Sequence, residues 1–349
     1  MAFFGVTSEV LEAVSPHPNA DRLEIGKLVG CEFSFILPKG KFKAGDIVLY
    51  FPIDSILPQE LLVELGLEGM LSGPQKNRIK TKKLRGVISQ GIVSDLSVLK
   101  GFIPRDSVSI TEHLGVTKYE PEAIMEKDAN LHPLPAFLSV YDIEGCERYP
   151  AVLEYLMGKQ VVVSEKLEGM NSSFSLARTG DNHDYFVNQR RFTIKEKDGG
   201  EHSFWKMFRD LDMESKLKRI ADHLGFHQVT VYGEFVGPKI QDNIYKLAKH
   251  EFRVFDIKTD KGFLGFEDFS RVCKDFELTA VPILFIGTLG EFVGRRSLAE
   301  VSHGWSVLNP EALREGIVIK PVEEEYSQDL RGRLIIKQRD PVYLAGEKD

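Results

Sequence analysis

The segment Ser164-Glu165-Lys166-Leu167-Glu168-Gly169 ends a β-branched run, Val161-Val162-Val163, which predicts a lysine at the tip of a buried strand. Lysine is rarely interior unless paired. An amine so placed is a nucleophile once neighbouring cations or partial desolvation favour its neutral form. Gly169, just beyond it, lets a phosphate or the backbone approach closely. Alone the pattern equally suits an ordinary turn. Later segments of the chain add to it. Val231-Tyr232-Gly233-Glu234-Phe235 puts a carboxylate on an apolar strand, and Phe252-Arg253-Val254-Phe255-Asp256-Ile257 puts an aromatic and an acid on another. Glu315-Gly316-Ile317-Val318-Ile319-Lys320 opens with an acid and closes with a lysine. Arg333-Leu334-Ile335-Ile336-Lys337 ends a further apolar strand, and Arg339 comes two positions on. Each has a plain alternative: Glu234 and Glu315 as solvated strand-edge charges, Phe255 as core, Lys320 and Lys337 as surface cations. The conjunction is what argues for a phosphate site. One tension stands, because strand alternation sets Glu315 and Lys320 on opposite faces and at opposite ends unless the strand is bulged.

The elements that must hold these residues fall into two parts, as a length of 349 residues suggests. Val6–Val14, Arg22–Val29, Glu32–Leu37, Asp46–Phe51 and Val87–Val93 read as short strands between Gly, Pro and Asn turns. With one helix-like interruption at Gln59–Leu65, they predict a small OB-type barrel or a generic β-sandwich over residues 1–118. Residues 119–150 read as a connector with an acidic start, Tyr119-Glu-Pro-Glu122; Phe137, Leu138, Val140 and Tyr141 are too apolar for a free linker. In 151–349, Gln160–Ser164, Ser172–Leu176, Val229–Phe235, Phe252–Ile257, Gly316–Lys320 and Leu334–Lys337 read as strands, and Ser203–Leu224 as one helix stopped by Gly225. The expected class is α+β.

Composition narrows the partners. Apolar residues make up 42%, charged residues 28%, and there are 23 Phe, which excludes a mostly disordered chain. No apolar run approaches the length of a membrane helix, and Met1-Ala2-Phe3-Phe4-Gly5 does not open a signal peptide. Cys31, Cys146 and Cys273 are scattered, which fits a reducing, cytoplasmic setting with neither disulfide framework nor zinc cluster. A net charge of −7 argues against indiscriminate nucleic-acid binding. Yet Lys76, Arg78, Lys80, Lys82, Lys83 and Arg85 put six cations within ten positions. That run is either a solvated loop or a local contact with nucleic-acid phosphates.

Taken together, the set resembles the covalent nucleotidyltransferase superfamily of ATP-dependent ligases and capping enzymes. Lys166-Leu-Glu-Gly169 is similar to its nucleotidyl-lysine motif and Gln189-Arg190 to the arginine motif that comes after it. Glu234 stands in the third motif, Phe255 in the next aromatic one, Glu315-Gly-Ile-Val-Ile-Lys320 in the fourth and Ile335-Ile-Lys337 in the fifth. DNA ligases and capping enzymes carry their OB domain after the fifth motif; here the barrel-like part comes first. That order, with His17-Pro-Asn-Ala-Asp-Arg22, Pro52-Ile-Asp-Ser-Ile-Leu-Pro58 and Lys83-Leu-Arg-Gly-Val-Ile-Ser-Gln-Gly91, resembles the fifth RNA-ligase family.

The resemblance implies an N-terminal OB-type β-barrel followed by an adenylyltransferase, ATP-grasp-like ligase domain built on antiparallel sheets. It implies sealing of 3′-OH and 5′-phosphate RNA ends at nicks in duplexes by a monomer, with ATP and Mg²⁺ or Mn²⁺. Lys166 would attack ATP. Glu165, Arg190, Glu234, Phe255, Lys320 and Lys337 would bind the nucleotide, Arg148 would meet the leaving pyrophosphate, and Glu168, Glu234 and Glu315 would serve the metal. Lys76 to Arg85 would contact RNA. The chain departs from the pattern twice: Glu168 stands where the motif usually has Asp, and Arg339 where a second lysine is frequent. Two competing expectations remain, a DNA ligase or GTP-using capping enzyme, and a non-catalytic RNA-binding OB protein.

Overall fold

The computed structural model describes residues 4–31, 33–119, 130–180, 182–196 and 202–346. Most of the acidic start expected of the connector, and Glu32 of the third expected strand, lie outside the described residues.

The first part is an antiparallel sheet of β1 (Thr7–Pro16), β2 (Leu23–Leu28), β3 (Ser34–Pro38), β4 (Ile47–Phe51) and a later strand, in the order β3-β2-β1-β4 and then Ile92–Ser94. β1 pairs with β4 over Thr7–Val10 and with β2 from Leu11 onward, with a register shift between Leu11 and Ala13. That bulge lets one strand serve both halves of a nearly closed barrel. Helix α1 (Gln59–Leu65) sits where the sequence places it. The expected strand Val87–Val93 is broken in two. β5 (Lys82–Leu84) pairs with β6 (Val87–Ser89), while β7 (Ile92–Ser94) joins β4. Gly91 makes the break at φ +86°, where a Cβ would lie 2.3 Å from the Tyr50 ring.

The second part comprises β8 (Asn130–Pro133), β9 (Glu144–Gly145), β10 (Gln160–Lys166), β11 (Met170–Thr179), β12 (Asn182–Gln189) and β13 (Phe192–Lys195). Helices α2 (Ser203–Asp210) and α3 (Met213–Leu224) come next, then β14 (Gln228–Val236), β15 (Glu251–Thr259), β16 (Gly262–Phe263) and α4 (Phe266–Asp275). β17 (Ile283–Thr288), β18 (Gly316–Pro321), β19 (Ile336–Arg339) and α5 (Pro341–Gly346) follow, among shorter elements. One sheet runs β8-β13-β12-β11-β14-β15-β16 and packs on α2, α3 and α4 through Phe174, Leu176, Phe208, Leu217, Ile220 and Val272. The other runs β9-β19-β18-β10-β17, over a core that includes Val161, Val163, Ile317, Ile319 and Ile336.

Among the described residues, the strand pairs are antiparallel except for β9 with β19. The helix expected over Ser203–Leu224 is two helices, because Asp212 adopts φ +51° between them. The segment between the two parts is built into the second: Phe137 packs edge-on against Phe186, and Tyr141 lies 5.0 Å from the Phe255 ring. Among the described residues, no helix is long and apolar enough to cross a membrane, and Cys31, Cys146 and Cys273 form no disulfide.

Candidate active site

The two sheets meet around a cleft of about 1290 Å³ whose wall on one side is the OB-type barrel. β10 delivers the lysine. Its residues alternate, so Val161 and Val163 enter the core while Ser164 and Lys166 face the cleft. The Lys166 amine donates to Glu315 Oε2 at 2.6 Å. Gly169 then permits a crowded turn, since a Cβ there would lie 2.6 Å from the Phe235 carbonyl oxygen and 2.8 Å from Glu234 Cγ. The glycine after the lysine therefore lets Glu234 come close.

β18 resolves the tension over Glu315 and Lys320 without a bulge. Its pairing with β10 runs unbroken from Lys166–Gly316 to Val162–Lys320. Glu315 lies just before the strand, where Gly316 at φ +154° fits beneath the Gln338 carbonyl at a point no Cβ could occupy. Both ends reach the cleft. Glu315 meets Lys166 and, at 3.1 Å, Arg339. Burial works against the Glu315 carboxylate, but Lys166 and Arg339 hold its pKa below the ordinary range. Lys320 instead donates to Asp256, a fully buried carboxylate, at 2.8 Å. Asp256 also accepts from Arg333 at 2.8 Å and from the Tyr141 hydroxyl. Against burial, Lys320 and Arg333 keep the Asp256 carboxyl below its usual range.

Phe255 reaches the cleft because β15 is bulged. Tyr232 pairs with Asp256 and Gly233 with Val254, leaving Phe255 as the extra residue. Its ring and that of Tyr141 form an aromatic wall. Glu165 is 1% exposed; one oxygen accepts from the Val307 amide at 2.8 Å, while Oε1 has no hydrogen-bond partner among the described residues. Burial raises its pKa. Burial pushes the Glu234 carboxyl up to about 8, with Glu315 adding to the shift and Lys166 and Arg190 opposing it. Arg190 binds Asp142 at 2.9 Å, and Lys118 of the barrel binds the same carboxylate at 3.3 Å. Lys337 faces the cleft with no ion pair within 4 Å among the described residues, and burial pushes its amine down to about 8.

Glu168 sits at the mouth. Its carboxylate accepts from the Asp242 amide at 3.3 Å and from the Tyr343 hydroxyl of α5. Burial raises its pKa. Among the described residues, no three carboxylate, His or Cys side chains are grouped tightly enough to hold an ion alone. Glu168, Glu234 and Glu315 nevertheless line one cleft. Such a sparse oxygen set suits a cation that keeps several waters and takes further ligands from substrate phosphates, as Mg²⁺ does.

One sequence expectation fails on geometry. Arg148 does not line the cleft; the Glu144 carboxylate of β9 and the Phe4 and Tyr149 rings hold it. Of the six cations in the basic run, Arg78 and Lys80 line the cleft and the other four do not. Arg78 binds Asp54 and lies 3.5 Å from the Tyr119 ring centroid. Lys82, Lys83 and Arg85 belong to the β5–β6 hairpin, whose tip is clasped by the His17–Asn19 segment. His17 Nε2 lies 3.1 Å from the Leu84 carbonyl, and the Asn19 amide group donates to that of Arg85 at 2.9 Å.

Asp54, Tyr141, Asp142 and Tyr343 escaped the sequence reading. Asp54 carried a signal only as part of Pro52-Ile-Asp-Ser-Ile-Leu-Pro58, and Tyr141 only as an apolar connector residue.

The RNA ligase family profile matches residues 159–338, and an OB-fold domain profile matches residues 6–96. Curated protein sequences yield no match. Among solved structures, a Naegleria gruberi RNA ligase variant with ATP and Mn shares 26% identity, with 99% of each chain covered and a TM-score of 0.78. A lysine-to-methionine variant of that ligase with AMP and Mn aligns at 26% identity, 99% of each chain and 0.80. Its complex with pyrophosphate aligns at 26%, 97% of each chain and 0.77. This chain belongs to the RNA ligase family, with an OB-fold domain ahead of the ligase domain.

Proposed function

We propose that the chain seals RNA through Lys166, as an ATP-dependent ligase acting at nicks in duplexes. The observation that carries this reading is the Lys166 amine, held 2.6 Å from Glu315 at the floor of a cleft that also holds an aromatic wall, three acids and the further lysines Lys320 and Lys337. The Naegleria ligase was solved with ATP and Mn, and the residues here fit both. The unpartnered Glu165 Oε1 is an acceptor suited to the exocyclic amine of adenine. Phe255 and Tyr141 offer a flat apolar face to the base. Lys337, without an ion pair, and Lys320 offer charge to the α-phosphate. Glu234 and Arg190 would hold the ribose or an RNA phosphate. Glu168, Glu234 and Glu315 would hold Mg²⁺ or Mn²⁺, in part through water. When bound, the cation neutralises phosphate charge and competes with Lys166 for Glu315.

The reaction is three in-line displacements at phosphorus, in which positioning and charge neutralisation do most of the catalysis. Released from Glu315, the Lys166 ammonium loses its proton to water in the cleft, and the neutral amine attacks the α-phosphorus. The nitrogen–phosphorus bond forms, the bond to the β-phosphate oxygen breaks, pyrophosphate leaves and the nitrogen sheds its second proton to water. An oxygen of the RNA 5′-phosphate then attacks the same phosphorus, and Lys166 leaves with its electron pair. Finally the 3′-OH attacks the 5′-phosphorus, its proton is lost and AMP departs. Lys80 and Arg78 at the cleft, and Lys76, Lys82, Lys83 and Arg85 beyond it, would contact backbone phosphates, reading helix shape and 2′-hydroxyls rather than bases. We assign residues 1–118 to the OB module, 119–150 to the connector and 151–349 to the ligase domain, acting as a cytoplasmic monomer.

The test is incubation with α-labelled ATP or GTP and metal, then sealing of nicks with ribose or deoxyribose at the 3′-OH side. Label from ATP alone and faster sealing at a ribose end are expected. Transfer from GTP, or indifference to the sugar, would contradict the reading.

A further inference from the structure

Helix α5 comes directly after β19 and is tied to the site at its start. The Asp340 amide donates to the Glu315 carbonyl at 2.9 Å. The Asp340 carboxylate, fully buried, accepts from the Val342 amide at 2.8 Å and lies 2.9 Å from His303 Nδ1. On the far side the helix packs on both strands of the basic β5–β6 hairpin, and Leu344 is buried beside Ile53 and Gln90 of the OB module. Between these anchors Tyr343 faces the cleft and its hydroxyl donates to Glu168. Glu168 is one of the two positions where the chain departs from its family's pattern, by one extra methylene. That longer side chain lets the carboxylate bridge the Asp242 amide and the Tyr343 phenol.

We propose that Tyr343 is a positioning residue for the Glu168 carboxylate, and that α5 is a strut through which the docked OB module sets that carboxylate for the metal. The proposal rests on the reading of Glu168 as a metal carboxylate. Each Glu168 oxygen accepts one protein hydrogen bond and keeps lone-pair capacity for metal-bound water. Partners of this kind orient metal ligands, and their loss costs about 10- to 100-fold in metal affinity or activity. The strut would also make metal binding sensitive to the basic hairpin that α5 rests on.

The experiment measures Mn²⁺ binding by the full chain with a non-hydrolysable ATP analogue, counting free Mn²⁺ by electron paramagnetic resonance. It compares wild type, Tyr343→Phe, Glu168→Asp, the double variant and Glu168→Gln, with lysyl-AMP formation at limiting and saturating Mn²⁺ as a second readout. Tyr343→Phe keeps the ring and should weaken Mn²⁺ binding about tenfold, with the deficit in lysyl-AMP formation shrinking as Mn²⁺ saturates. Glu168→Asp removes the same hydrogen bond without touching the helix, so the double variant should be no worse than the weaker single variant. Binding by Tyr343→Phe within about twofold of wild type, or losses that multiply in the double variant, would overturn the strut. Unchanged binding in Glu168→Gln would instead overturn the metal role of Glu168, and the strut with it.

Discussion

The two ends of β18 are wired in opposite ways. At one end Lys320 is locked by Asp256, a fully buried carboxylate that also holds Arg333 and Tyr141. At the other, Glu315 shares itself between Lys166 and Arg339, and Arg339 reaches on to Asp54 of the barrel at 3.9 Å. The first end is finished before any nucleotide arrives. The second consists of contacts that the chemistry has to exchange, because Lys166 cannot attack while its amine is held. A ligase needs both: a rigid wall to place the base and phosphate, and a floor whose ion pairs rearrange as substrates change.

The comparison breaks first at Asp256. Asp256→Asn takes the close partner from the buried Lys320 and one of two carboxylates from Arg333, which keeps Glu324 at 2.6 Å, and should cost about 3 kcal/mol. Glu315→Gln strands two cations that border the open cleft, and should cost less than half of that. Chemical denaturation of both variants checks the order, and equal losses would mean that the two ends are alike.

A smaller effect should appear in pH. Burial holds the Lys337 amine down at about 8 in the free cleft, whereas a bound phosphate favours its charged form. ATP binding above that pH therefore takes up a proton. Affinity should be flat below about pH 7 and weaken by up to about tenfold per unit above Lys337's own pKa. Calorimetry with an ATP analogue measures this, and Lys337→Met should give weaker, flat binding. An unchanged slope in that variant would assign the proton elsewhere.

The smallest effect belongs to the link with the barrel. Asp54→Ala removes one partner of Arg339 and of Arg78 at a partly exposed site, worth about 1 kcal/mol. It should slow sealing several-fold while leaving lysyl-AMP formation nearly intact. Equal slowing of both would mean that Asp54 supports the fold rather than the RNA-dependent steps.

Much of this was legible in the chain. The ordered motifs from Lys166 to Lys337 led to one cleft because strand alternation decides which side chains face it, with Lys166, Glu315 and Lys320 at or beside strand ends. Phe255 was legible as a motif residue, but the bulge that turns it into the cleft was not, since a bulge is set by the partner strand. The break at Asp212 was hidden for a related reason: apolar spacing persists across it while the backbone turns left-handed. The pairing of Arg148 with Glu144 depends on the chain turning between β9 and Arg148, which the sequence pattern does not show. The departures Glu168 and Arg339 looked like losses of pattern. Folded, each finds a distant companion, Tyr343 for one and Asp54 for the other, which spacing along the chain does not encode.

The most direct measurement is the site of covalent attachment. After incubation with ATP and Mg²⁺, intact-mass analysis and peptide mapping should find one AMP on the peptide bearing Lys166, and none in Lys166→Ala, which should also fail to seal. AMP on another residue, or sealing from ATP that survives the loss of Lys166, would contradict the account.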